Sequence, residues 1–324
     1  MDLNLNLSSF KVSKNMLDPQ IVYDVIIIGG GPAGLNAALY ASRKKMFTAI
    51  ITEDIGGQIT QSTSIENWLG TKQQKSDVLV NMFYEHVLEY HPVIAKNTKV
   101  VSMDVHDEIK KVSCSDGNIY QALSIIIASG KSPRKLGVSK ESELTGKGVA
   151  YCTTCDGPAF AGKKVAVVGG GNSGVEAALD MLGYANEVVI IQDIDRLSAD
   201  PVLVDRIIAD PRISVEYQAK VLAFEGDSIL SGIKILDKVS QEEKIILVDG
   251  VFIEIGLVPS SSFAPESLKN PQGEIIIDAF CATNIPGIFA CGDVSIVPFK
   301  QVVIAAGEGA KAALSAFSYV LNKK

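Results

Sequence analysis

One motif occurs twice in this chain, and it limits the fold more than any other feature. Residues 24–39 read DVIIIGGGPAGLNAAL, and 140 residues later 164–179 read KVAVVGGGNSGVEAAL, with eight of sixteen positions identical. Each copy is a short apolar run, a glycine turn, then small and apolar residues at helical spacing, which predicts strand, turn and helix. The spacing G-x-G-x-x-G falls on Gly29, Gly31 and Gly34, and again on Gly169, Gly171 and Gly174. In a mononucleotide-binding unit the first glycine makes the turn and the second lets the backbone approach a pyrophosphate. The third lets helix and strand pack closely, and the helix N-terminus then faces the phosphates.

A β-rich run follows each copy, at 48–51 and 188–191, and an acid lies nineteen residues past each last glycine, Glu53 and Asp193. An acid at about that distance holds ribose hydroxyls. The expectation is an α/β fold of two Rossmann-like, three-layer dinucleotide-binding domains, one inserted in the other. A length of 324 residues suits two domains. The β-runs 124–130 and 251–256 each end in a glycine followed by a polar or Pro-containing stretch, and these stretches read as the strands of a hinge. The outer domain is then 1–130 plus 257–324, and the inserted one 131–256. Residues 1–20 read as an extension lying on the surface or partly without fixed structure.

Composition removes other classes. Thirty basic against thirty-seven acidic residues, net −7, argue against a nucleic-acid binder. Apolar residues at 47% fit a globular chain with a full core. No apolar run reaches the ~18–20 residues of a membrane span, and residues 1–20 lack the apolar block of a signal peptide. Five cysteines, two of them in one Cys-x-x-Cys, fit a reducing, cytoplasmic setting better than a secreted disulfide framework.

That pair lies in YCTTCDG, 151–157. Cys152 and Cys155 can close and reopen a small disulfide loop, one thiolate attacking while the other resolves. Asp156 follows, placed to exchange a proton with a leaving thiolate. Half of a zinc site and a structural pair are the alternatives. Zinc needs four ligands, and Cys114, Cys281, Cys291, His86, His91 and His106 show no ligand spacing, so no metal is expected. The three remaining cysteines read as small buried apolar residues. Near the C-terminus, Gly292-Asp293 follows an apolar run and precedes a small-residue helix. Asp293 either caps that helix or holds a polyol.

From residue 22 to 321 the chain resembles the low-molecular-weight thioredoxin reductase family of pyridine-nucleotide disulfide oxidoreductases. The motifs are GGGPAG at Gly29, GGQIT at Gly56, IENWLG at Ile65, IASG at Ile127, YCTTCDG at Tyr151, GGGNSG at Gly169 and CGD at Cys291. Residues 148–320 are more similar still to the reductase part of alkyl hydroperoxide reductase flavoproteins. Those proteins carry an additional N-terminal disulfide domain pair that no segment here matches.

The resemblance implies FAD in the outer domain, with its pyrophosphate on Gly29, Gly31, Pro32, Ala33 and Gly34. Thr52, Glu53, Gly57 and Gln58 would lie along the adenosine and flavin side, with Asn67 and Gly130 in the same site. Gly292-Asp293 would hold the ribityl chain, and Lys300, Gln301 and Val302 would line the isoalloxazine ring. It implies a homodimer, and a nucleotide on Gly169, Gly171, Asn172, Ser173, Gly174 and Asp193. Cys155 would face the flavin and Cys152 would attack a protein disulfide such as that of thioredoxin. One departure bears on the donor. NADPH-using members carry His-Arg-Arg and a further Arg where this chain reads QDIDRLS, 192–198. A 2′-phosphate meeting Asp193 at ~4 Å and an effective dielectric of ~20 would cost roughly 4 kcal/mol, and a third of that is about tenfold in affinity. NADH is therefore expected over NADPH. Relatives without the arginines that draw on ferredoxin are the alternative, as is an NADH-dependent reductase or oxidase of a peroxide-detoxifying system.

Overall fold

The computed structural model describes residues 17–323 apart from 62, 63, 66 and 73, and apart from the side chains of Gln61, Ser64, Thr154 and Cys155. The chain divides into two compact units. The first comprises Met1–Thr60, Ser64–Lys131 and Pro259–Lys324, and the second Gln61–Thr63 and Ser132–Val258.

Among the described residues the first unit is built on a seven-stranded sheet. Its parallel centre sets Val22–Ile28 between Thr48–Ile51 and Ile119–Ile127, and Ile288–Ala290 joins the far end of the last of these. Lys110–Cys114 and Val100–Asp104 extend it antiparallel. Successive residues of the central strands point to opposite faces, so one continuous apolar run serves two cores. Ile26, Ile28, Ile51, Ile125 and Ile127 lie in one, with Leu268 and Ile275. Val25, Ile27, Ile50 and Ile126 lie in the other, under the helices Pro32–Arg43 and Val302–Leu321. Those helices approach closely because a Cβ on Gly309 would stand 2.1 Å from Ala33 O. Asn36 Nδ2 donates to Ala306 O at 2.6 Å across the same contact.

The second unit repeats the plan. Among the described residues its parallel sheet has five strands, with Lys164–Val168 between Glu187–Ile191 and Gly250–Ile253. The helices Asn172–Met181 and Pro201–Ala209 cover one face. An antiparallel three-stranded sheet, Ala219–Glu225, Gly232–Asp237 and Glu243–Leu247, covers the other through Val221, Phe224, Ile233 and Ile235. The chain leaves and re-enters the first unit through Lys131–Pro133 and Leu257–Pro259, which pair as a two-stranded ribbon.

The expectation for residues 1–20 falls mostly outside the described residues. Within them Leu17 packs half-buried on the first core, and Asp18 N donates to the Tyr23 hydroxyl at 3.0 Å. Among the described residues no helix is long and apolar enough to cross a membrane.

Candidate functional site

The three glycines of the first copy have three separate reasons to be glycine. Gly29 has φ +115°, and a Cβ there would lie 2.3 Å from Ala128 O. A Cβ on Gly34 would lie 1.9 Å from Gly29 O, so the helix could not sit on the turn. In front of Gly31 the nearest neighbours, Gly56 O and Gly57 Cα, stand off at 3.9 and 4.0 Å. Among the described residues no side chain caps the helix that starts at Pro32. Its first-turn N–H groups, including those of Ala33 and Gly34, therefore face a cradle that a side chain at position 31 would enter. That arrangement fits a pyrophosphate.

Other segments of the first unit converge on this turn. Gly56 N donates to Gly30 O at 2.8 Å, and Gly57 N to Asp54 Oδ1 at 3.1 Å. Thr52 is buried and donates to Asp54 O, whereas Glu53 is exposed and paired with Lys99 at 3.7 Å. Gly292, at φ +70°, would put a Cβ 2.9 Å from that of Ala33, which brings Asp293 to the fingerprint. Gln58 Nε2 donates to Asp293 Oδ2 at 3.2 Å and lies 4.0 Å from where a Gly130 Cβ would be. Burial raises the Asp293 carboxyl above its ordinary range, against the opposing pull of Lys300 and Lys131. Glu274 holds both lysines, Lys131 at 3.1 Å and Lys300 at 3.4 Å, and Lys300 Nζ also donates to Ser295 O at 2.6 Å. Asn67 Nδ2 donates to Gln301 Oε1 at 3.0 Å. Asp293 does not cap the C-terminal helix. That helix starts at Val302 behind Gln301, and Asp293 lies in the short turn Gly292–Val294.

The Cys-x-x-Cys segment belongs to the second unit. Cys152 is half-buried and disulfide-bonded, and the Cys155 side chain lies outside the described residues. Asp156 closes the single turn Thr153–Asp156 with its N–H on Cys152 O at 3.1 Å. It sits at the surface, and the desolvation it feels raises its carboxyl above the ordinary value. The other three cysteines are free and buried. Burial pushes the Cys114 thiol up to about 12 and raises Cys281 and Cys291 further, so all three stay protonated and unreactive.

The second copy has the same geometry as the first. A Cβ on Gly169 or Gly174 would lie 2.2 Å from Glu254 O or 2.0 Å from Gly169 O, while among the described residues Gly171 has only Ser198 Oγ within reach, at 3.8 Å. No side chain caps the helix Asn172–Met181. The Asn172 side chain is engaged with Asp200 through two hydrogen bonds, at 2.7 and 3.3 Å.

Three residues here have contacts that the sequence alone does not disclose, although Gln192 belongs to the stretch that bears on the donor. Gln192 is buried and turned inward. Its Oε1 accepts from Gly170 N and Asp193 N at 3.2 Å each, and its Nε2 donates to Arg196 O at 2.9 Å. Glu254 follows the strand Gly250–Ile253 beside the glycine turn and hydrogen-bonds Ser173. Burial, with smaller contributions from Asp180 and Glu176, pushes its carboxyl up to about 7. An acid inside the apolar run VFIEIG was the available clue. Lys238 forms an ion pair with Asp193, so the carboxylate that a 2′-phosphate would meet is not the bare charge expected from the sequence.

Comparison with known proteins places these observations. A "NADH dehydrogenase" of Ferdinandcohnia aciditolerans is 41% identical over 301 residues, 93% of this chain and 58% of its own length. An alkyl hydroperoxide reductase subunit of Staphylococcus aureus is 40% identical over 301 residues, 93% and 59% respectively. This chain thus spans a little under three-fifths of these curated relatives. Thioredoxin reductase of Lactococcus lactis superposes with a TM-score of 0.81 at 33% identity, covering 93% of this chain and 99% of that one. The enzyme from T. acidophilum gives 0.77 at 37%, covering 91% and 98%. A ferredoxin-flavin thioredoxin reductase from Clostridium acetobutylicum gives 0.53 at 33%, covering 94% and 99%. These structures bear out the α/β class with two Rossmann-like domains. Residues 23–309 match the pyridine nucleotide-disulphide oxidoreductase family, and the chain belongs to it.

Proposed function

We propose that this protein is an FAD-dependent disulfide reductase that passes an electron pair from a reduced donor to a thioredoxin-like protein. The observation that carries the reading is the disulfide at Cys152, within the one Cys-x-x-Cys of a chain whose other three cysteines are buried free thiols. With NADH as donor the balance is NADH plus H⁺ plus a protein disulfide giving NAD⁺ and a protein dithiol.

Bound FAD would supply the hydride-accepting, electron-pair-donating chemistry between nucleotide and disulfide. The first-turn N–H groups behind Gly31 would hold its pyrophosphate, Asp293 oriented by Gln58 would accept from its ribityl hydroxyls, and Lys300, Gln301 and Val302 would border its ring. Cys152 would pair with Cys155, and reduction opens that disulfide. Cys152 then attacks the outside disulfide as thiolate, Cys155 resolves the mixed disulfide, and Asp156 returns a proton to the leaving thiolate. The raised Asp156 carboxyl suits that exchange. NADH is favoured over NADPH, since no arginine occupies the 192–194 stretch. A homodimer in the cytoplasm completes the reading.

The similarity to the alkyl hydroperoxide reductase protein supports a second reading, in which the acceptor is the disulfide carrier of a peroxide-reducing system. Stopped-flow reduction of the flavin with NADH, NADPH and reduced ferredoxin in turn, followed by transfer to thioredoxin, separates these. Fast NADH reduction and thioredoxin turnover are expected. Reduction by ferredoxin alone would replace the nucleotide donor.

A further inference from the structure

Lys238 reaches the ribose end of the second fingerprint from another sheet. It follows the strand Gly232–Asp237 in the turn of the antiparallel hairpin. Beyond its ion pair with the Asp193 carboxylate, its Nζ donates to the Asp193 backbone carbonyl at 2.9 Å. The backbone that delivers it is fixed. Lys238 N donates to Gln218 O at 2.9 Å, and Gln218 N donates to Ile194 O at 3.0 Å. The Asp237 carboxylate accepts from Val239 N and Ser240 N, at 2.8 and 3.0 Å, and closes the turn. The neighbouring Arg196 is paired with Asp195 at 3.3 Å.

An acid in the place of Asp193 accepts from ribose hydroxyls, and a cation beside that place accommodates a 2′-phosphate. Both kinds of group are present here, bound to each other. We propose that Lys238 is a masked 2′-phosphate-binding residue, and that Asp193 selects the unphosphorylated ribose by occupying it. The proposal rests on the reading that the second fingerprint holds a nicotinamide nucleotide. A 2′-phosphate brings about two negative charges. To reach the ammonium it must displace the Asp193 carboxylate and then share the pocket with it. An unphosphorylated ribose leaves the pair intact and uses the free acceptor positions of the carboxylate. Removing the charge of Asp193 alone would release the lysine and reverse the preference, with no arginine introduced. The pair is largely exposed, so breaking it changes stability little.

The test is calorimetric titration of the flavin-loaded protein with adenosine 2′,5′-bisphosphate and with 5′-AMP, at fixed ionic strength. The ratio of the two dissociation constants is the readout. Asp193→Asn should shift it toward the bisphosphate by about tenfold, the magnitude of one charge-assisted phosphate contact. The shift should fade as salt is raised, and Lys238→Met in the Asp193→Asn background should remove most of it, leaving only the part due to lost repulsion by Asp193. An unmoved ratio in Asp193→Asn, or a shift that Lys238→Met leaves undiminished, overturns the assignment of Lys238. A parallel titration with NADH separates the two levels. Wild-type protein that binds NADH while the ratio stays put refutes the masked lysine alone. Protein that binds neither NADH nor either probe refutes the nucleotide reading and this proposal with it.

Discussion

Gln58 donates its side-chain amide to the Asp293 carboxylate at 3.2 Å, joining segments 235 residues apart in the chain. The contact gives a desolvated acid a fixed orientation beside the fingerprint turn. Gln58→Leu removes that donor. In the proposed flavin site, where a hydrogen bond to a charged group contributes roughly 1.5–3 kcal/mol, flavin affinity should then fall by about tenfold or more. The ratio of flavin to protein absorbance after dialysis measures it. Retention of FAD equal to wild type would show that Asp293 needs no orienting partner.

Cys152→Ser and Cys155→Ser should both abolish disulfide reduction, and they should differ in colour. In the proposed roles, Cys152→Ser leaves the thiolate that faces the flavin, giving a long-wavelength charge-transfer band. The band appearing in Cys155→Ser instead would exchange the two roles.

Glu254 carries a pH dependence whose sign is set by its burial. Its carboxyl is raised from 4.5 to about 7 in the folded protein. Between those values the native state binds more protons than the unfolded chain, so stability falls as pH rises through this window. The loss is complete above about pH 8, at up to about 3 kcal/mol. Glu254→Gln should raise the melting temperature at pH 8 and leave it close to wild type at pH 4.5. An equal shift at both pH values would trace the effect to packing rather than to the proton.

Gln192 holds the turn together, which changes how nucleotide preference should be engineered. Replacing it leaves the Gly170 and Asp193 N–H groups and the Arg196 carbonyl short of a partner. Gln192→Leu should cost about 2 kcal/mol or more. Ile194→Arg, at an exposed position, should leave the melting temperature within a degree or two. Denaturation of the two variants side by side checks this, and equal stability would show that Gln192 is dispensable.

Much of this architecture is legible in the sequence because its signals are local. The strands 22–28 and 164–168, the turns and the helices that follow are written in adjacent residues. The run 48–51 is a strand over those same residues. Longer-range features were hidden for physical reasons. Lys238 meets Asp193 only through the packing of an antiparallel sheet whose strands carry no nucleotide signature. Gln192 stands where NADPH-using members of the resembled family carry histidine, and nothing in its neighbours says that it turns inward. The C-terminal helix starts later than a cap at Asp293 would require. Pro298 disfavours a helical residue before it, and Phe299 adopts φ +59°, so the chain stays irregular until Val302.

The two glycine turns also bear on how such a motif should be counted as testimony. At Gly29, Gly34, Gly169 and Gly174 a side chain would run into the protein's own backbone within 2.3 Å. Those four are held by the fold whether or not anything binds. Of the six fingerprint glycines, Gly31 and Gly171 are the two where a Cβ would meet the described residues only at ordinary contact distance, 3.8 Å or more. In a lineage that abandoned its nucleotide, the first and third glycines would persist under selection for folding, and the middle one would be free to drift. A three-glycine match is thus two votes for an architecture and one for a ligand, and in this chain that single vote has been cast in both halves.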